Sequence, residues 1–229
     1  PSVAAQTPEA IFLPLPESGG FFSAPSIPEL IPSLPQYRCV AVGPGVGRFD
    51  GGEPWISALF AALSAAGSPP VVVDADALYL LRRQLPQVRR YAGPVIFTPH
   101  PGEMALLLDR PVEEVEKNRW DVARSFAAEN GVFLLLKGHR SVIASPDGEL
   151  WVNPCGHDAL GKGGSGDVLT GLIASFIAQG APPLKALTAA CYLHGKAGEE
   201  KAKTLSRYGV LPLDVVDGVK KLLQQWSDE

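Results

Sequence analysis

Residues 71–84, VVVDADALYLLRRQ, decide the fold because a short strand passes directly into a helix within them. The apolar run Val71–Val73 is typical of a strand buried on both faces, and the residues from Ala75 to Gln84 predict a helix. Outward from this unit the pattern repeats. Further strands are predicted at Cys39–Val42, Val95–Thr98, Val132–Lys137, Ser141–Ala144 and Leu150–Val152. Further helices are predicted at Glu53–Ala66, Gly102–Leu108, Pro111–Asn130, Asp167–Gln179, Leu184–Lys203 and Leu213–Trp226.

Short apolar strands that alternate with helices predict an α/β fold with a mainly parallel sheet covered on both faces, in one domain over residues 1–229. The turn Pro146-Asp147-Gly148 predicts a hairpin between the last two strands. In sheets of this type, ligands bind beyond the carboxyl ends of the strands. Ten of the 24 glycines lie in two such turns, at residues 43–52 and 161–171, which makes these turns candidate binding segments.

The composition restricts the function classes. The 229 residues include 20 basic and 24 acidic side chains, for a net charge of −4, and 46% of them are hydrophobic. This balance is typical of a packed globular protein and gives no electrostatic basis for binding nucleic acid or an anionic membrane. The longest apolar stretch, Val168–Ala178, is too short to cross a bilayer. Three cysteines in a chain of this length predict reduced thiols and a cytoplasmic location.

The first residues differ from the rest, because eight of the 22 prolines fall among the first 35 residues. Proline fixes φ and removes a backbone donor, so residues 1–38 are predicted to be an extended surface segment with one short strand at Ala10–Leu13. The chain starts at Pro1, and its one methionine is Met104. It is therefore expected to be a fragment or a processed product.

The segment Gly161-Lys162-Gly163-Gly164-Ser165-Gly166-Asp167 places four glycines immediately before a predicted helix. Free N–H groups at a helix N-terminus attract anions, and glycine lets a phosphate approach the main chain closely. A carboxylate beside a bound phosphate can take the proton of an attacking hydroxyl group, so Asp167 is the candidate base. An acidic residue in a first helical turn also has a simpler role, which is to stabilise the helix dipole.

Two common nucleotide motifs match this loop only in part. A Walker A loop that starts at Gly156 would need Ser or Thr after Lys162, where Gly163 stands. A dinucleotide fingerprint from Gly161 to Gly166 would need an acidic residue about 20 positions further on, and none is there. Both interpretations are rejected.

Several segments form one ordered set along the chain. They are 42–47 (VGPGVG), 73–78 (VDADAL), 98–103 (TPHPGE), 136–138 (LKG), 153–156 (NPCG), 163–171 (GGSGDVLTG) and 192–195 (YLHG). This set resembles the ADP/ATP-dependent NAD(P)H-hydrate dehydratases, members of the ribokinase-like superfamily, over roughly residues 10–213. The resemblance implies a three-layer α/β/α sandwich. It also implies repair of the (S)-hydrate of NADH or NADPH, by phosphorylation of the ring hydroxyl and loss of phosphate.

The resemblance assigns a role to each motif residue. Asp167 would be the base at the substrate hydroxyl. The anion hole for the transferred phosphoryl group would consist of Gly163, Gly164, Ser165 and Gly166. The residues assigned to the nucleotide, ADP or AMP, are Lys137, Gly138, His139, Arg140, Ser141 and Gly166. The residues assigned to the hydrate are Gly45, Gly47, His100 and Asp167, and Glu103 would organise Mg²⁺ through water.

Several of these residues also have simpler interpretations. Lys137 could be a lysine at a strand end that reaches solvent, His100 a hydrogen-bonded structural histidine, and Glu103 a carboxylate at a helix start. Asp74 is interpreted as a polar group at a strand end near the site, and Asp76 as a helix cap. For His194 and Cys191, which share an apolar helix face, packing is favoured over metal binding.

The chain departs from the family in two places. Residues 157–160 (HDAL) and Lys162 replace the usual sequence before the glycine loop, and Lys162 is expected to add a charge near the phosphates. The strand, glycine- and serine-containing turn and helix with which the family normally opens are not recognisable. The chain is therefore expected to be N-terminally incomplete, with the rest removed or supplied by another polypeptide.

The expected ligands are the hydrate of NADH or NADPH, Mg²⁺, and ADP as phosphoryl donor with ATP as the alternative. A homo-oligomer is expected, as is fusion to, or partnership with, a domain that epimerises the hydrate. Two other functions stay open. One is a different ribokinase-like kinase, of the hydroxymethylpyrimidine or hydroxyethylthiazole type. The other is a nucleotide-binding fragment without catalytic activity.

Overall fold

A six-stranded sheet forms the centre of the fold in a computed structural model that describes residues 7–227. Two short strands, β1 (Glu17–Ser18) and β2 (Phe21–Phe22), form a separate hairpin. The strands of the central sheet follow each other in space as in the chain: β3 (Val40–Val42), β4 (Val71–Val73), β5 (Val95–Phe97), β6 (Phe133–Leu136), β7 (Val142–Ala144) and β8 (Leu150–Val152). Strands β3 to β6 are parallel, and β6 to β8 are antiparallel.

Helices lie between the parallel strands, and others lie before β3 and after β8. In chain order they are α1 (Ser26–Leu30), α2 (Gly52–Ala65), α3 (Ala75–Leu81), α4 (Leu85–Val88), α5 (Pro101–Leu108), α6 (Val112–Lys117), α7 (Arg119–Asn130), α8 (Ser165–Ala178), α9 (Pro183–Gly209) and α10 (Pro212–Ser227). Within residues 7–227, no helix has the length and apolar character that a membrane span requires.

The sheet is buried on both faces, as the continuous apolar strands predict. Val71 and Val73 belong to a core formed with α2, α3, α5 and α7, whereas Val72 between them belongs to a core formed with α8 and α9. Successive residues of a strand point to opposite faces, so one strand contributes to two cores. The predicted three-layer α/β/α sandwich is therefore confirmed.

The prediction for residues 1–38 is wrong in two respects, and residues 1–6 lie outside the described part. No strand forms at Ala10–Leu13, and the two short strands lie further along at Glu17–Phe22. Residues 26–30 form α1, and Ile31–Gln36 form a 3₁₀-helix. The prolines permit these helical turns because their fixed φ near −65° is a helical value, and the first residues of a helix need no N–H partner.

Two long helices also differ from the prediction in continuity or extent. The segment Pro111–Asn130 contains two helices, because Asn118 leaves the helical conformation with φ of −121° and ψ of 31°. Helix α9 continues past Lys203 to Gly209 and is interrupted by a non-helical Ser206, with φ of 62° and ψ of 164°.

Candidate active site

The carboxyl ends of the parallel strands bring the sequence motifs together. The backbone N–H of Asp74 donates to Val42 O at 3.1 Å, and that of Lys137 donates to Pro99 O at 2.8 Å. Gly43 lies directly against Asp74, because a Cβ added to Gly43 would be 1.7 Å from the Asp74 carbonyl oxygen. With φ at +134° as well, this position requires glycine. The first glycine turn is therefore fixed to the strand end beside it.

A buried carboxylate organises the centre of this edge. Asp74 is 1% exposed and accepts hydrogen bonds from Lys137 Nζ at 2.8 Å and from Thr170 Oγ1 at 2.7 Å. Lys137 Nζ also lies 3.8 Å from Glu103 Oε2. The prediction that Asp74 lies near the site is confirmed, and the interpretation of Lys137 as a lysine reaching solvent is wrong. Buried charges require partners of this kind.

The glycine loop meets this ion pair at the start of α8. A Cβ built on Gly166 would lie 3.5 Å from Lys137 Nζ and 3.8 Å from Asp74 Oδ2. Helix α8 begins at Ser165, two residues earlier than predicted. Among the described residues, no acceptor is bonded to the backbone N–H groups of Gly166 and Asp167. Free N–H groups, a helix N-terminus and a nearby ammonium together favour an anion at this point.

The carboxylate of Asp167 differs from that of Asp74. Asp167 is exposed in the first turn of α8, and within residues 7–227 its side chain has neither a hydrogen-bond partner nor an ion pair. An unpaired carboxylate next to free backbone donors is available to accept a proton from a bound hydroxyl group.

A cavity of about 610 Å³ opens beside this helix start. The residues predicted to bind the nucleotide all contribute to its lining: Lys137, Gly138, His139, Arg140, Ser141 and Gly166. Ser165 and His100 line it too. The remaining predicted residues lie outside the lining: Gly45, Gly47, Glu103, Gly163, Gly164 and Asp167. The cavity thus joins the Lys137 loop to the end of the glycine loop, and the predicted hydrate residues other than His100 are placed elsewhere.

Arg119 supports the Lys137 loop, and the sequence analysis missed it. Its Nη1 donates to His139 O at 2.7 Å, while Nη2 donates to Leu136 O at 3.1 Å and to Lys137 O at 3.3 Å. Burial lowers the pKa of the guanidinium, and its Nε is buried with no partner in the described part of the chain. No sequence signal identifies this residue, because it acts on carbonyl groups 17 to 20 positions away.

His100 and Glu103 form a capping box at the start of α5. His100 Nδ1 accepts from the N–H groups of Gly102 at 3.0 Å and Glu103 at 3.3 Å, and Glu103 Oε2 accepts from His100 N at 2.8 Å. Nδ1 is therefore unprotonated, and the ring proton is on Nε2, 3.6 Å from Glu103 Oε1. These contacts agree with the structural interpretation of both residues, and His100, whose side chain is 57% exposed, also lines the cavity.

A magnesium site of protein ligands alone does not form. Among residues 7–227, no group of three or more His, Cys, Asp and Glu side chains could hold a metal ion. Mg²⁺ typically uses one or two carboxylates together with water and substrate phosphates. Glu103, whose side chain is 13% exposed beside Lys137, fits that requirement.

Two further expectations are corrected. Asp76 is not a helix cap, because Asp74 occupies the cap position of α3. Asp76 instead accepts from Gly47 N at 3.1 Å and from Arg48 Nε at 3.0 Å, so it holds the first glycine turn. Lys162 lines the cavity, but its ammonium donates to the carbonyls of Tyr208 at 2.8 Å and Val210 at 2.6 Å. It anchors the glycine loop to the segment between α9 and α10.

His194 and Cys191 pack within the protein, as predicted. His194 Nε2 lies 3.0 Å from Ser165 O, which can only accept, so this nitrogen carries the proton. Burial lowers the pKa of His194 to about 4 and raises that of Cys191 to about 12. A neutral imidazole and a neutral thiol therefore lie on the cavity wall at neutral pH.

The mostly parallel six-stranded sheet and the glycine-rich start of α8 are those expected of a ribokinase-like α/β protein, and comparisons with known proteins agree. The sequence profile described as NAD(P)H-hydrate dehydratase matches residues 2–221. A bifunctional NAD(P)H-hydrate repair enzyme of Moorella thermoacetica is 37% identical over 99% of this chain and 42% of its own length. An ADP-dependent (S)-NAD(P)H-hydrate dehydratase of Bacillus subtilis is 36% identical over 83% of this chain and 66% of its own.

Solved structures extend the comparison. An ADP/ATP-dependent NAD(P)H-hydrate dehydratase from Bacillus subtilis, co-crystallised with ATP and Mg²⁺, is 35% identical, with a TM-score of 0.72 over 82% of this chain and 65% of that one. A ribokinase-like superfamily protein from Enterococcus faecalis is 26% identical, with a TM-score of 0.79 over 98% of this chain and 73% of that one. The chain belongs to the NAD(P)H-hydrate dehydratase family. It spans between about two fifths and two thirds of the length of the curated relatives named above.

Proposed function

We propose that this chain carries out the ADP-dependent dehydration of the (S)-hydrate of NADH or NADPH, with ATP as the alternative donor. One observation carries the proposal. The start of α8 combines free N–H groups, the ammonium of Lys137 and the unpaired carboxylate of Asp167 within one turn. Phosphoryl transfer to a hydroxyl group requires an anion site with an adjacent base. The names of the relatives supply the substrate.

Each segment of the candidate site has its own role in the proposed reaction. The Lys137 loop and Gly166 hold the nucleotide in the cavity, and the N–H groups of the glycine loop stabilise the transferred phosphoryl group. Asp167 takes the proton of the ring hydroxyl as the hydroxyl oxygen bonds to the terminal phosphorus of ADP. The bond from that phosphorus to the bridging oxygen breaks, and AMP leaves with the electron pair. The phosphate then leaves with its electron pair, and a proton leaves the neighbouring carbon, which restores the ring double bond. Bound through Glu103, water and the nucleotide phosphates, Mg²⁺ would neutralise phosphate charge.

The main test replaces Asp167 by Asn. Wild-type protein with ADP and Mg²⁺ is expected to restore the near-ultraviolet absorbance of NADH from its hydrate, with ATP assayed in parallel. Loss of a general base lowers the rate by about 100- to 10,000-fold. Binding of ADP, measured by calorimetry, should change little because Asp167 does not line the cavity.

The matched control is Asp121→Asn, which removes an exposed acidic residue from the first turn of α7. It alters a helix dipole in the same way and should keep full activity. If wild-type protein binds ADP but never restores NADH, the chain is a nucleotide-binding fragment. If it instead forms a stable phosphate ester of a hydroxymethylpyrimidine or hydroxyethylthiazole, it is a different kinase of the same fold.

The remaining partner predictions rest on the relatives alone. Bifunctional repair enzymes among them support an epimerase domain as a fused or separate partner. A homo-oligomer stays a prediction, and sedimentation of the purified chain tests it.

A further inference from the structure

A second cavity lies on the other side of the first glycine turn. It has a volume of about 990 Å³, and it lies between the β1–β2 hairpin, the residues after β3 and helix α2. It shares no lining residue with the cavity assigned to the nucleotide. Nothing in the proposed reaction so far uses it.

Aromatic rings form one wall of this cavity. Phe21 and Phe49 are stacked with centroids 5.3 Å apart, and Phe22 and Trp55 are stacked at 5.0 Å. Phe21 is 37% exposed, so part of its ring is open to a ligand. Stacked, partly exposed rings are a platform on which a nucleobase binds with little dependence on its identity.

Arg48 supplies a positive charge beside the rings. Its Nε donates to Asp76 Oδ1 at 3.0 Å, and its guanidinium lies 4.5 Å above the ring of Tyr79. Its side chain is 54% exposed, and no acceptor in residues 7–227 is bonded to its two terminal amino groups. A guanidinium held at Nε presents the other donors as a planar fork that matches phosphate oxygens.

This cavity is continuous with the turn predicted to bind the hydrate. Gly47 precedes Arg48 directly, and Asp76 bonds to both residues. The ring of Phe21 lies against Gly47, where a Cβ would come within 2.5 Å of it. A ligand that touches the glycine turn therefore has the aromatic wall and the guanidinium next to it.

We infer that the 990 Å³ cavity binds the AMP half of the hydrated dinucleotide, with adenine at Phe21 and the phosphate of that half at Arg48. Asp50, the carboxylate on the same wall, would accept hydrogen bonds from ribose hydroxyl groups. This inference rests on the proposed function. The reaction changes only the nicotinamide ring, so contacts with the distant half act by binding and placing the substrate.

The test compares two substrates, the hydrate of NADH and the hydrate of reduced nicotinamide mononucleotide, which lacks the AMP half and keeps only the phosphate on the nicotinamide side. Arg48→Gln should raise the KM for the NADH hydrate about ten-fold, the factor for one lost charge-assisted hydrogen bond. Phe21→Leu should raise it by about the same factor, through the loss of one base–aromatic stacking contact. The KM values for the mononucleotide hydrate and for ADP should change less than two-fold. Equal changes for both hydrates, or no change for either, would overturn the inference.

The matched control is Arg82→Gln. Arg82 stacks on the same Tyr79 ring, at 3.8 Å, but pairs with Glu53 and does not line the cavity. It should affect neither hydrate. If wild-type protein turns over neither hydrate, the proposed function fails, and binding of NAD⁺ and of nicotinamide mononucleotide under saturating ADP then decides the inference. Tighter binding of NAD⁺ that Arg48→Gln abolishes supports it, and equal binding of the two refutes it.

Discussion

Replacing Thr170 by Val tests whether the buried carboxylate of Asp74 depends on its hydrogen bonds. Thr170 is 3% exposed, and its hydroxyl donates to Asp74 Oδ2 at 2.7 Å. Valine has nearly the same shape, so the change removes the donor and leaves little cavity. A hydrogen bond to a charged group contributes about 1.5–3 kcal/mol. We therefore expect the free energy of unfolding to fall by about 2 kcal/mol.

Urea unfolding followed by circular dichroism measures this loss of unfolding free energy. An m-value equal to that of the wild type would show that the substitution changed stability and not the surface exposed on unfolding. The same loss corresponds to a Tm lower by about 4–8 °C for a chain of this size. Thr188→Val is the control, because that hydroxyl bonds only to the helix carbonyls of Leu184 at 3.0 Å and Lys185 at 3.1 Å. Its effect should stay within about 0.5 kcal/mol. If Thr170→Val costs no more than this control, the carboxylate does not need the threonine.

Three further predictions follow from the site. Arg119→Lys keeps the charge but loses the paired guanidinium hydrogen bonds to the carbonyl groups of the Lys137 loop, so the KM for ADP should rise about ten-fold. The control is Arg124→Lys, on an exposed part of the same helix, which should leave the KM for ADP unchanged. Burial lowers the pKa of His194 from 6.5 to about 4, so the unfolded chain binds the proton first. The free energy of unfolding should fall by up to about 3 kcal/mol as pH drops from about 6.5 towards 4. Urea unfolding at several pH values in that range measures the fall, and a free energy that stays constant with pH would contradict the prediction. Gly43→Ala should cost more than about 3 kcal/mol because its Cβ meets Asp74 O at 1.7 Å, whereas Gly45→Ala, which has open space, should cost about 1 kcal/mol in the same assay.

The layered fold could be predicted because its signal is local. A parallel strand buried on both faces is apolar at every position, and Val71–Val73 fits that pattern without knowledge of its neighbours. The N-terminal prediction failed because proline has two compatible environments. The fixed φ that suits an extended segment also suits the first turn of a helix, and Ile31–Gln36 uses it in the second way. The break at Asn118 has no strong sequence signal either, because a single Asn lowers helix propensity only slightly and neither Gly nor Pro stands beside it.

The motif residues of the candidate site could be found because they lie in glycine turns and at strand ends. The residues that hold these motif residues in place could not be found in this way, because each of them contacts a segment that is distant in the sequence. Thr170 and Asp74 are 96 positions apart, and the bond between them depends on how α8 packs on β4. Arg119 looks like any basic residue at the start of a helix until the loop it holds is in place.

In the proposed reaction, the different environments of two carboxylates would let one strand edge hold an anion and still supply a base. Asp74 is buried and satisfied by Lys137 and Thr170, so its charge fixes an ammonium under Gly166. That ammonium cannot swing towards solvent without leaving a buried carboxylate unpaired, which costs several kcal/mol. The positive charge is therefore in place before a phosphate arrives. Asp167, one residue after Gly166, has no such partner in residues 7–227 and is exposed, so its carboxylate is free to accept a proton from a ligand that binds beside it. If Asp167 were the buried and paired carboxylate and Asp74 the exposed one, a fixed negative charge would lie beside the phosphate and no carboxylate would be free to act as the base.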